Sequence, residues 1–121
     1  MRAVSSADVR LARAHGLFNV VGGSWPLVHM ASFEAVTGPK VDRWLVRTVS
    51  GLMVVNGVAQ LRAEPSPDGI AAARRIGMGT ALVLAAVDIY YGSRHRISRM
   101  YLLDAVLEAA WLMAWTRSLR R

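Results

Sequence analysis

Asp104 and Glu108 stand four residues apart in an otherwise apolar stretch. That spacing puts both carboxyls on one helix face, about 6 Å from each other. Two carboxylates so close in a medium of low dielectric resist joint ionisation, so the pair holds a proton or a cation unless an arginine neutralises it. Trp111 and Trp115 continue the same face. Asp88 interrupts the preceding apolar stretch near its end, and its side chain is too short to reach back to water. These three carboxyls point to proton-carrying or cation-binding chemistry. The blander alternative is a salt-bridged interior face with Arg47 or Arg99 as partner.

The other groups suited to chemistry are His15 and His29. Fourteen residues separate them, about 21 Å along a helix and nearly on one face. The pair resembles the histidine pairs of cytochrome b helices, a resemblance that implies haem held between helices. It covers these two residues alone. Those proteins carry the same pair on a second helix, whereas His95 falls in a connection here and only a symmetric dimer supplies a second pair. The expectation is therefore no cofactor, with hydrogen-bonded helix histidines in place of haem ligands.

Four apolar segments must position these groups, at roughly 12–33, 43–61, 72–91 and 98–116. Hydrophobic residues make up 54% of the 121. The expected fold is all-α, a single integral membrane domain over 1–121 forming a four-helix up-and-down bundle. Only Ala14 to Phe33 gives an uncharged run of full span length. The other segments reach that length when their charges face the interior. The interruptions are His29, Glu34, Arg47, Asp88, Asp104 and Glu108, and an up-and-down path brings all six to the end carrying the first and third connections.

Local signals refine the segments. Pro26 frees the carbonyl of Gly22 and predicts a kink in the first helix. Pro39 suits the first position of the second helix, and Ser66-Pro67 that of the third, with Gly92 as its C-terminal cap. Ser93 or Ser98 suits the start of the fourth. Trp44, Tyr90, Tyr91 and Tyr101 suit an interfacial belt at one end, and Trp115 at the other. Gly77, Ala81 and Ala85 form a smooth ridge, as do Ala105 and Ala109, and such ridges let helices approach closely.

The net charge is +7, but the 15 basic residues are spread over both tails and all three connections. No face concentrates them as a nucleic-acid footprint requires, so no nucleic acid is expected as partner. Flanking of spans accounts for them better. Nine lie on the side of the termini and the second connection, and six on the other. That bias places both termini in the cytoplasm of a multi-pass protein of the cell membrane. Asn19, Gly22 and Gly23 interrupt the first apolar run and no clean cleavage site follows, so the first segment is expected to be retained.

Several classes fall away. The chain has no cysteine, which removes disulfides, thiol nucleophiles and thiolate metal sites. It has no glycine-rich phosphate loop, no zinc-type histidine spacing and no nucleophile elbow. The size and layout are similar to the small multidrug-resistance transporters. That family carries a glutamate midway along its first helix, and here no acid occurs between 12 and 33.

The expected function is binding, with passage across the membrane, of a small amphipathic, lipid-like or cationic ligand. Asp88, Asp104 and Glu108 would bear the charge, His29 and Arg47 would modulate it, and Trp25, Trp44, Tyr91 and Trp111 would supply apolar and cation–π walls. No metal ligand set is expected. The partners are the lipid bilayer and a second copy or a larger membrane complex. Two rivals remain: a non-catalytic accessory subunit of such a complex, and a lipid-modifying enzyme using a carboxylate or His29 as acid–base.

Overall fold

A computed structural model describes residues 4–94 and 97–120. His95, expected in a connection, lies outside the described residues, as do Arg96, the first three residues and Arg121. The regular structure among the described residues is entirely helix: α1 (Ser6–Val28), α2 (Met30–Thr37), α3 (Arg43–Leu61), α4 (Pro67–Ser93) and α5 (Met100–Leu119). Among them, α4 alone is both long and apolar enough on average to cross a membrane.

Side-chain caps set the starts of three helices, α1, α2 and α4. Ser5 accepts from the amide of Asp8 at 3.1 Å and starts α1 six residues before the apolar run begins. Ser66 does the same for α4 through Gly69, with Pro67 in the first turn. The interval 43–61 agrees with α3 at both ends. Pro39 does not start that helix; Asp42 precedes it and makes no side-chain cap. Gly92 lies inside α4, against Leu102, and the cap is Arg94.

The first segment breaks three residues beyond Pro26, where its sequence predicts a kink. Helix α1 runs through Pro26 and stops at His29, whose φ of −147° and ψ of 80° are not helical. The His29 ring then accepts from the Ser32 amide at 3.1 Å and caps α2. The described residues thus form five helices, because a side-chain cap restarts the helix after the carbonyl lost to Pro26.

Packing is dominated by two antiparallel hairpins, α1 with α3 and α4 with α5. In the first, backbones nearly touch. A Cβ on Gly16 would meet the carbonyl oxygen of Gly57 at 2.7 Å, and one on Gly23 that of Ser50 at 2.8 Å. In the second, the buried stripe of α4 runs Ile70, Ala73, Gly77, Ala81, Ala85, Asp88 and Gly92. Its small residues admit α5, as the ridge implied; Ala105 is buried on the partner side, and Ala109 is exposed. A small apolar core of Ala12, Ile70, Ala73 and Trp115 ties the hairpins together at the end holding the second connection.

Candidate functional site

Two polar clusters occupy the interior. The first is the expected set of carboxyls. Arg74 on α4 bonds Ser118 on α5 at 3.0 Å, and Gly77 abuts Trp115, which fixes the register. From Gly77 to Asp88 and from Trp115 to Asp104 the step is eleven residues, so Asp88 and Asp104 fall at one level, about 16 Å from the Gly77–Trp115 contact. Asp104 comes within hydrogen-bonding reach of both Asp88 and Glu108. Asp88 is buried, Glu108 is fully buried and Asp104 is half-buried. One Asp88 oxygen and both Glu108 oxygens find no donor among the described residues.

The remaining candidates do not join them. Arg47 is exposed, and the ion pair formed among the described residues is instead Arg43 with Glu34 at 2.8 Å. His29 is exposed and occupied as a helix cap. Trp25 donates to Ser32 and packs edge-on against Phe33. Trp44 and Tyr91 are surface residues, Tyr91 set against Tyr90. Trp111 belongs to the second cluster. A broad open cleft of about 710 Å³ lies over the carboxyl end, lined by Thr37, Lys40, Leu45, Ile97 and Ser98, among others.

Helices α1, α3, α4 and α5 meet in the second cluster. The indole of Trp115 donates to His15 Nδ1 at 2.9 Å, and the Gln60 amide reaches the same nitrogen at 3.1 Å. Asn19 donates to Gln60 Oε1 at 2.8 Å. Trp111 stacks on the imidazole with centroids 4.5 Å apart. His15, Asn19, Gln60 and Trp115 are all completely buried. Trp115 is therefore a core residue and not part of an interfacial belt.

An indole N–H only donates, so it sets the polarity of the whole cluster. His15 Nδ1 must be the bare acceptor, and the neutral ring carries its hydrogen on Nε2. Gln60 must turn its NH2 to His15 and its oxygen to Asn19. What remains is one donor, His15 Nε2–H, and one acceptor, Asn19 Oδ1, neither with a partner among the described residues. The two histidines do not form a matched pair, since one is a buried acceptor and the other caps an exposed turn. Sequence reasoning missed Asn19 and Gln60. The available signal was an amide in each of two apolar runs, with Asn19 one turn from His15.

Comparison with known proteins leaves these residues to speak for themselves. No family model matches the chain, and no curated protein and no solved structure matches it either.

Proposed function

We propose that α1, α3, α4 and α5 span a membrane, with both termini cytoplasmic, and that the carboxyl cluster between α4 and α5 binds a small amphipathic or cationic ligand. The observation that carries this reading is inverted polarity. Leu52, Val55, Leu82, Val83, Leu103, Val106 and Met113 are all more than half exposed, while His15, Asn19, Gln60 and Glu108 are at 0%. Water-soluble domains almost never bury such groups while presenting aliphatic side chains outward. A hydrocarbon solvent favours that arrangement.

Length supports it. The 19, 20 and 23 residues of α3, α5 and α1 reach about 28, 30 and 34 Å, against a hydrocarbon layer of about 30 Å. Interior acids lower the mean hydropathy of α5 without touching lipid. A cation supports the site chemistry, since Asp88 and Glu108 have no ion-paired partner among the described residues.

The test is membrane fractionation followed by binding. The chain should resist carbonate extraction, and the purified protein should bind tetraphenylphosphonium, a lipophilic cation. Glu108→Gln should abolish that binding while leaving extraction unchanged. Recovery as a soluble monomer without detergent, or equal binding by the variant, would defeat the reading.

A further inference from the structure

Five buried polar atoms lack partners among the described residues, and four residues own them: His15 Nε2, Asn19 Oδ1, Asp88 Oδ2 and both Glu108 oxygens. They fall in vertical order. His15 bonds Trp115 while Phe18 packs on Trp111 at 5.4 Å, so α1 runs antiparallel to α5 and Asn19 lies on the Glu108 side of His15. Counting helix rise from the His15–Trp115 level, Asn19 stands at about 6 Å, Glu108 at about 10 Å, and Asp88 with Asp104 at about 16 Å. Each step is about 4–6 Å, which two hydrogen bonds of about 2.8 Å in series through one water will bridge.

The inventory is lopsided, with four oxygen acceptors against one N–H donor. Between the carboxyls and His15, whatever fills the file must bring hydrogen-bond donors. No group of three His, Asp or Glu side chains converges as a metal site among the described residues. Protons on water meet the requirement. The titratable groups bordering the file are Asp88, Asp104, Glu108 and His15, and α3 contributes the neutral amides Gln60 and Asn56, the latter bonded to Thr80.

We propose that these residues form a proton half-channel. It opens at the end carrying the first and third connections and is closed by the His15–Trp115 bond. A proton from water forms an O–H bond on Asp88 or Asp104. That bond breaks as a new one forms on Glu108, and a water held by Asn19 Oδ1 takes the Glu108 proton as hydronium and returns one by the same path. Transfer stops there. His15 faces the file with an N–H, and its lone pair is covered by the Trp115 and Gln60 donors. Beyond it, Ala12, Ile70 and Ala73 fill the interior. This inference rests on reading the carboxyl cluster as a membrane-embedded cation site.

Two measurements on the full chain test it. In phosphatidylcholine–phosphatidylglycerol liposomes with a trapped pH dye, the natural protein should be as tight as empty liposomes. Trp115→Phe leaves the imidazole lone pair to the Gln60 amide alone and trims the Trp115 part of the apolar core beyond it, and should raise proton leak by about tenfold or more. Trp115→Phe with Glu108→Gln should restore tightness. A tight Trp115→Phe variant, or a leak unaffected by Glu108→Gln, overturns the closed half-channel. The second measurement needs no Trp115 variant. The infrared band of the protonated Glu108 carboxyl, identified by its loss in Glu108→Gln, should shift within mixing time on transfer to D2O despite complete burial. Exchange over hours, or no such band, overturns the hydrated file. Binding of tetraphenylphosphonium would survive either failure, which separates this inference from the proposed function.

Discussion

The indole of Trp115 and the imidazole of His15 are joined by a 2.9 Å hydrogen bond across one hundred residues of chain. The bond links α1 of one hairpin to α5 of the other, and both side chains are completely buried. Because the donor cannot invert, this contact orients Gln60 and Asn19 as well.

Removing it should destabilise the protein beyond the loss of one contact. Trp115→Phe leaves Nδ1 of His15 with the Gln60 donor alone. The expected loss is about 1–3 kcal/mol, the cost of weakening a buried polar group's satisfaction. Gln60→Leu removes three bonds, to His15, Asn19 and the Ala73 carbonyl, and strands Asn19, so it should cost at least as much. The check is a denaturation series in mild detergent. A Trp115→Phe variant as stable as the natural protein would show that the hub does not hold the hairpins.

The glycines separate by what surrounds them. Gly16 and Gly57 face each other's carbonyl oxygens, with a Cβ on either falling within 2.7 Å of backbone. Backbone cannot move aside as a flexible side chain does, so Gly57→Val should destabilise by about 1–3 kcal/mol or more. Gly51 and Gly79 have no neighbour among the described residues within 4 Å of such a Cβ. Alanine there should be neutral or stabilising by up to about 1 kcal/mol, since it favours helix. Melting temperatures of the three variants check the contrast.

How much of this was legible follows the range of the forces. Ser66-Pro67 and the limits of α3 are set by local chemistry and can be read directly. The Asp104–Glu108 face is equally local, being one turn of one helix. Asp88 needed only the up-and-down path to be placed beside them. The break at His29 was hidden because two local effects compete there: Pro26 suggests bending, and the His29 side chain offers a cap that ends the helix instead. Gln60 was invisible because its importance comes from His15, 45 residues away. Arg47 sits one turn inside α3 and looked internal, yet it extends outward, as a long flexible side chain readily does.

The connection between α2 and α3 should respond to acid. The Glu34 carboxylate accepts from the Lys40 amide at 2.8 Å, and Arg43 lies beside it. The amide bond first, and Arg43 next, hold its pKa below the ordinary 4.5. A depressed carboxylate pKa stabilises the folded connection above the unfolded value, and the contribution disappears as pH falls through the folded one. The amide resonance of Lys40 should therefore hold constant near neutrality and shift only below pH 4.5. Glu34→Gln should remove the transition. A midpoint above 4.5 would contradict the geometry.

The three carboxyls should behave as one unit. Asp104 lies within reach of both Asp88 and Glu108, so replacing it changes the surroundings of each. Asp104→Asn and Glu108→Gln should depart from additivity by about 0.5–3 kcal/mol, the range for residues in contact. The sign is set by the excess of acceptors. Glu108 has two buried oxygens without donors among the described residues, and an amide in its place supplies two N–H donors at similar volume. Glu108→Gln alone should thus raise the melting temperature in detergent while abolishing cation binding. Once it is present, Asp104→Asn should matter less, because the neighbour that made its charge costly is gone. Additive effects on both stability and binding would mean that the carboxyls act separately despite their proximity.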